Sequence, residues 1–459
     1  MKEQRKTITE TARQIPVRKE VDILIVGGGP AGIAAAYAAA GYGLQVMLIE
    51  SRSFLGGNLT IGLPILGFLS RKGTQIIKGI PQKFIDRLKS RGAASDHKRC
   101  KNHMSLTIIN PEEVKTVALD MLHEVNVEVL MYVFTVDTIV ESDIVKGVII
   151  ESKAGREAIL AKTVIDCTGD GDVAYRAGVE CNKGDENGGM QPPTLMYSMR
   201  GVEIQKIRDA IIDHSDLYDM DVMPPKQFKT GHFITVGFRN QINKALQAGY
   251  KIPVARTILI TGLKEDEIWV NMTRVSGIDS TKPESYTYGE LECRKQIYEI
   301  TKYLKNFIPG FKNAWIEKVA PFMGIRESRV IVGKYIMTAD DILTNHHFKD
   351  VIAVGGYPVD IHHSKGNDCT MLFPEDGYDI PYRTLVPDKI ENLLVAGRCA
   401  SMNHQAMAAT RVMSTCMALG EAAGRAARIA LKDGVSPSNV NINKLQKELR
   451  DSGAYLGKE

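Results

Sequence analysis

Val21-Asp22-Ile23-Leu24-Ile25-Val26-Gly27-Gly28-Gly29-Pro30-Ala31-Gly32-Ile33 decides the architecture of this chain. Its first six residues form a short apolar, β-branched run, the composition of a buried parallel strand. Gly27, Gly29 and Gly32 follow in G-x-G-x-x-G spacing, and an alanine-rich helix is expected over 33–40. The first glycine permits a tight turn, the second lets backbone N–H groups approach a diphosphate, and the third lets helix and strand pack closely. Pro30 and Ala31 stand at the start of the helix, where free N–H groups and the positive end of the dipole favour an anion. Gln45–Ile49 reads as a second strand ending at Glu50, whose carboxylate suits ribose hydroxyls and repels a 2′-phosphate. Arg52, beyond Ser51, keeps the phosphorylated ribose open as an alternative.

Outward from this stretch, the composition is that of a globular protein. The chain has 459 residues, 44% apolar and 24% charged, which excludes disordered, collagenous and coiled-coil classes. Lysine and arginine number 58 against 54 acidic residues, and a net charge of +4 is too small to argue for nucleic acid. The span 23–49 is apolar enough to suggest a membrane helix, but Gly27 to Pro30, Gly41 and Gly43 would interrupt it, so no membrane insertion is expected. The charged N-terminus lacks the apolar core of a signal peptide. The seven cysteines are scattered with no C-x-x-C pair, which argues against disulfides, zinc and iron–sulfur clusters and for the cytoplasm.

Three further motifs carry a resemblance. Glu50 to Thr60 contains Gly56-Gly57-Asn58, Val164 to Asp172 contains Thr168-Gly169-Asp170, and Asn392 to Arg398 ends Ala396-Gly397-Arg398. Together they resemble flavoproteins of the glutathione-reductase structural class. With Gly324 to Arg329 and Tyr357 to His362, the whole is similar to a bacterial family of FAD-dependent oxidoreductases, distantly like the fumarate reductase and succinate dehydrogenase flavoproteins. The resemblance implies FAD as cofactor, with the Gly-Gly loop running beneath the flavin. In many such relatives the last strand ends Gly-Asp, the aspartate binding the ribityl chain; here Arg398 follows Gly397 and can reach a phosphate instead. No second G-x-G-x-x-G follows a strand, and no redox-active cysteine pair is present, which sets aside the two-nucleotide and disulfide-reductase readings.

The expected fold is α/β, a Rossmann-like FAD-binding domain with a parallel sheet and a three-stranded meander, and an inserted mixed α+β substrate domain. Residues 1–20 read as an extension, 21–195 and 386–432 as the two parts of the FAD domain, 196–385 as the substrate domain and 433–459 as a tail. Strands over 128–140, 144–153 and 158–166 build the meander. In the substrate domain, strands are expected over 256–261 and 267–275 and a helix over 291–304. Met413 to Leu431 reads as a long helix with Glu421, Arg425 and Arg428 on its polar side, its positive end toward the flavin.

Flavin chemistry needs position and charge from the protein, so cations and titratable groups come next. Arg326 and Arg329 fall in one expected strand at an odd separation, so only one reaches the site. Arg326 suits a bidentate clamp on a carboxylate or carbonyl, with an ion pair to Glu327 as the structural alternative. His362 and His363 follow Asp360 at a strand end and point opposite ways, so one can serve as acid or base. His404 and Arg411 flank the start of the long helix. Arg71 to His103 carries a net charge of +8, either a solvated face or a docking patch for an acidic electron-transfer partner.

The reading is an FAD enzyme that moves hydride between flavin N5 and a small anionic or carbonyl-bearing substrate, with an unidentified electron donor or acceptor. A flavin monooxygenase or halogenase and a flavoprotein acting on a macromolecule are the alternatives. A homo-oligomer is compatible with either.

Overall fold

The computed structural model describes residues 6–214 and 225–457. Residues 1–5 of the expected extension, 215–224 of the expected substrate domain and 458–459 of the expected tail lie outside it. The leading strand runs Val17–Val26 and begins inside the expected extension, because Val17 already pairs with Ala158. Ile23 to Ile25 are wholly buried, as a strand covered on both faces requires. The helix that follows is Pro30–Ala39. It starts at the proline rather than at Ile33, since a fixed φ suits the first helical turn.

The main sheet has seven strands. Glu128–Met131, Val46–Glu50, Val17–Val26 and Gly155–Asp166 run parallel in that order, and Leu393–Val395 returns to pair parallel with Gly155–Asp166. The strand expected over 128–140 is in fact two. Tyr132 takes a positive φ of 63° and breaks the run, so Glu128–Met131 joins the parallel sheet while Phe134–Glu141 pairs antiparallel with Ile144–Ser152. The meander therefore continues the sheet through Gly155–Asp166. This is the Rossmann-like α/β architecture the motifs implied.

A second core lies over a five-stranded antiparallel sheet ordered Ile234–Gly237, Thr257–Thr261, Ile268–Val270, Tyr197–Arg200 and Trp315–Val319. The helix Pro283–Phe307 covers it, longer at both ends than the 291–304 expected, and buries Cys293, Ile297, Ile300 and Leu304.

The long helix Met413–Asp433 packs on Pro30–Ala39 at van der Waals distance of backbone from backbone. A Cβ on Gly420 would lie 2.1 Å from the Ala31 carbonyl oxygen, and one on Gly424 2.2 Å from that of Ala35. The polar side expected on this helix is not solvated. Glu421 is buried and accepts from Ile80 N at 2.8 Å and Ser452 Oγ at 2.7 Å, while Arg428 donates to Ala40 O and Glu448. Its cover is the helix Ile442–Asp451, formed within the expected tail, with Leu445 and Leu449 in the core.

The basic segment is offset locally. Lys72 pairs with Glu375, Arg87 with Glu124, and Arg91 with Glu113 and Asp120. Among the described residues no helix is long and apolar enough to cross a membrane.

The helix pair yields a direct expectation. Gly424→Val forces the two helices apart and costs about 1–3 kcal/mol, read as a lower urea midpoint with an unchanged far-ultraviolet circular dichroism spectrum.

Candidate active site

The glycine turn is held by backbone contacts. Gly27 has φ +101°, and a Cβ there would sit 2.6 Å from Cys167 O. At Gly32 a Cβ would come within 1.8 Å of Gly27 O, so this glycine packs behind the turn. Gly29 differs: nothing lies within 4 Å of its Cβ position, which opens into a cavity of about 340 Å³. No side chain caps the helix, and Ile33 N bonds to Gly29 O, so the amides ahead of it have no intrahelical acceptor.

The other sequence-predicted binding residues converge on the same cavity. Pro30, Ala31, Glu50, Ser51 and Arg52 line it, as do Gly57 and Asn58 from the 3₁₀ turn Gly57–Thr60. Gly56 sits behind, its amide donating to Gly28 O at 2.8 Å. Glu50 is buried and accepts from Gly28 N at 2.7 Å and Arg52 N at 2.9 Å, which fixes the carboxylate beside the turn. The Arg52 guanidinium lies 3.8 Å over the Phe322 ring. Thr168, Gly169 and Asp170 form the opposite wall. Asp166, which sequence reasoning did not single out, positions that wall: wholly buried, it accepts from Thr168 Oγ1 at 2.7 Å and from the amides of Val173 and Ala174.

Gly397 and Arg398 also line the cavity, but Arg398 is not free to reach a phosphate. Its Nη2 meets Asp170 Oδ1 at 2.9 Å and its Nη1 donates to Ser328 Oγ at 2.9 Å. Burial alone would raise the Asp170 pKa; the Arg398 charge, the hydrogen bonds of Ser328 and Arg398 and the charge of Arg329 together outweigh it and hold the carboxylate below its ordinary value.

A second cavity of about 140 Å³ shares a wall with the first, built from Asn58, Ile325, Arg398, Arg411 and Met413. Arg326, His362, Asp360 and Tyr357 face it. Arg326 precedes the strand Arg329–Ile331 rather than sharing it, because Gly324 is bridged to Thr194. Its Nη1 donates to Pro192 O and, at 2.7 Å, to Thr194 Oγ1, both neutral acceptors. Burial, then the charge of Arg411, lowers its pKa to about 10, so it stays a cation at neutral pH. Arg329 turns the other way onto Asp170 O and Asp172. Glu327 is not the partner of Arg326: it accepts from Gln191 N at 2.9 Å and meets His404 Nδ1 at 2.7 Å.

The histidines separate as alternation demands. His362 points inward with its Nε2 3.4 Å from Asp360 Oδ2, while His363 is exposed and bonded to Thr370 Oγ1. Burial, then the Arg326 charge, pushes the His362 pKa down to about 4. Burial would raise Asp360, but His362 and Arg411 hold it well below the carboxylate range. His404 is removed from the cavity side, clamped to Glu327; burial opposes its protonation and the Glu327 contact outweighs it, raising its pKa. Arg411 ends the short helix His404–Thr410, donates to Asp360 O at 3.2 Å, and has a buried Nε without a protein acceptor. His103 and Asn271, which line the second cavity, carried no motif in the sequence and are brought there only by tertiary pairing.

These features define a flavoprotein of the dinucleotide-binding type. The chain belongs to the FAD-dependent oxidoreductase family, whose model matches residues 22–449. It is also similar in fold to a geranylgeranyl bacteriochlorophyll reductase-like protein from Thermoplasma acidophilum, at 15% identity and TM-score 0.52 over 94% of this chain and 84% of that one. An anhydrotetracycline hydroxylase from Streptomyces rimosus gives 10% identity and TM-score 0.50 over 94% and 66%. Among curated proteins, an NADH oxidase from Thermoanaerobacter brockii is 47% identical over 57 residues, 12% of this chain and 8% of that protein. A ferredoxin–NADP reductase from Nocardioides is 36% identical over 67 residues, 13% and 20% of the respective chains. The chain thus matches only a small part of the length of these curated relatives. The residues present fit FAD: the uncapped helix end and open Gly29 face the diphosphate requirement, and Glu50 the ribose.

Two outcomes follow from this geometry. Gly29→Val places a branched side chain in the cavity and should give folded, colourless protein, checked by the flavin absorbance of purified material. His362 binds its proton more weakly folded than unfolded, so between about pH 6.5 and 4 the unfolded chain takes up the extra proton and stability falls as pH falls. His362→Gln should flatten that part of a urea-midpoint profile against pH.

Proposed function

We propose that this oxidoreductase moves hydride between FAD and a small anionic or carbonyl-bearing organic substrate held in the second cavity. FAD, when bound, supplies hydride exchange at its N5. The observation that carries the reading is the shared wall: Arg411 borders both cavities, and Arg326 stands in the second with only neutral acceptors on its guanidinium. Arg326 and Arg411 bind and orient an acidic or carbonyl oxygen, a role suited to their fixed fork of donors. His362, neutral at pH 7 beside the Asp360 carboxylate, holds or moves one proton at Nε2. All seven cysteines are free, which supports work in a reducing cytoplasm.

Purified yellow protein is mixed anaerobically with hydroxy acids, enoates and amino acids, in oxidised and dithionite-reduced form, and the flavin spectrum is followed. One class should bleach or reoxidise the flavin. Arg326→Ala and Arg411→Ala should then slow the reaction about 10- to 100-fold without releasing flavin. Unchanged kinetics in both variants would remove the arginines from the reaction. Substrate turning over only with reduced nicotinamide and oxygen, with oxygen incorporated, would replace this reading by a monooxygenase.

A further inference from the structure

We infer that the second cavity takes a carboxylate whose apolar body is about the size of a six-membered carbon ring. The inference rests on the preceding reading only in calling this ligand a substrate. Two features of the cavity carry it, one for each end of the molecule.

The first is a charge count. Arg398 is matched by Asp170 at 2.9 Å, and Arg256 lies 3.5 Å from Asp368. Among the lining residues Arg326 and Arg411 remain against the single carboxylate of Asp360, His362 is neutral, and behind it the buried Arg274, bonded to main-chain carbonyls, adds a further cation 3.5 Å from His362 Nδ1. The polar end therefore carries an excess of positive charge. A buried charge without a counter-ion is costly, and a bound anion offsets it. Planar guanidinium matches a planar carboxylate through paired N–H···O bonds.

The second is the wall facing these arginines. Ile234 and Val236 lie two apart on one strand and so share a face, and Val236 is the cross-strand partner of Ile258. All three line the cavity, with Leu66, Met196 and Met371 among the other apolar lining residues. The volume is about 140 Å³. An apolar cavity of roughly 150 Å³ stays dry and accepts benzene. The space thus suits a ring or a branched chain of that bulk, and it is too large for acetate to fill.

The test uses oxidised holoenzyme, titrated with benzoate and cyclohexanecarboxylate as probes, with acetate supplying charge without the body and benzyl alcohol the body without charge. Binding is read by calorimetry and by perturbation of the flavin spectrum. The ring carboxylates should bind roughly tenfold or more tightly than either control. Val236→Phe fills the apolar end and should abolish that preference while acetate binding is retained. Ile258→Ala should shift the preference to a larger acid such as naphthoate, and retained flavin colour reports that each variant is folded. Equal affinity for benzoate and acetate, or a preference untouched by both variants, would overturn the inference. Tight benzoate binding with no flavin bleaching by any carboxylate keeps it and sinks the hydride-transfer reading instead. Bleaching by small polar acids with no preference for ring carboxylates does the reverse.

Discussion

The structure depends on the absence of side chains where backbone meets backbone around the first helix. Gly32 lies against the Gly27 carbonyl, Gly27 against that of Cys167, and Gly420 against that of Ala31. These contacts set three elements at once: the turn after Val17–Val26, the start of Pro30–Ala39, and the long helix laid across it. A methyl group at any of them would push carbonyls apart, and interiors packed at crystal density relax only in part. The open face at Gly29 is the consequence. Because the glycines behind it fix the turn, the amides ahead of Ile33 are held toward the cavity rather than turned into further hydrogen bonds.

Charge is then distributed by a simple division of labour. Arginines that hold the protein together are matched: Arg398 by Asp170, Arg329 by Asp172, Arg428 by Glu448 and Arg425 by Glu421. Arg326 and Arg411, which face the second cavity, are matched less completely. Arg326 leans on Pro192 O and Thr194 Oγ1, and Arg411 on Gln191 Oε1 and the Asp360 main chain. Hydrogen bonds to neutral oxygens satisfy donors without cancelling charge. Arg326 therefore keeps its charge uncancelled while being held still, and Arg411 shares its own with Asp360 Oδ2 at 3.7 Å; fixed, incompletely matched cations are the condition for electrostatic preorganisation.

How much of this was legible from residues alone follows from the range of the interactions. The glycine turn and the acid at the end of the second strand are local motifs whose spacing carried them, and Thr168-Gly169-Asp170 entered through the family resemblance. The split at Tyr132 was not legible, because it depends on Glu128–Met131 finding Val46–Glu50 across the sheet. The buried side of Met413–Asp433 was misread for a related reason. Glu421 and Arg428 look solvated on a helical wheel, yet Ile80 N and the helix Ile442–Asp451 cover them. Arg398 looked free because its partner lies far away in the chain. Gly420 and Gly424, spaced four apart and therefore on one face, were a visible signal of a close helix contact that composition alone did not assign to a partner.

The pairing of Glu327 with His404 shows why the position of Arg411 is more than an accident of packing. Glu327 is buried, and a buried carboxylate is tolerated only when hydrogen-bonded on both oxygens. One oxygen takes His404 at the start of the short helix; the other takes Gln191 N. The side-chain carbonyl of Gln191 accepts from the His362 amide and faces Arg411 Nη2, at the far end of that same helix. Asn403 caps the helix through Ala406 N. Two ends of one rigid element are thus tied to a single buried acid and its neighbour. Arg411 is held through this chain at the wall between the two cavities, so one guanidinium borders both.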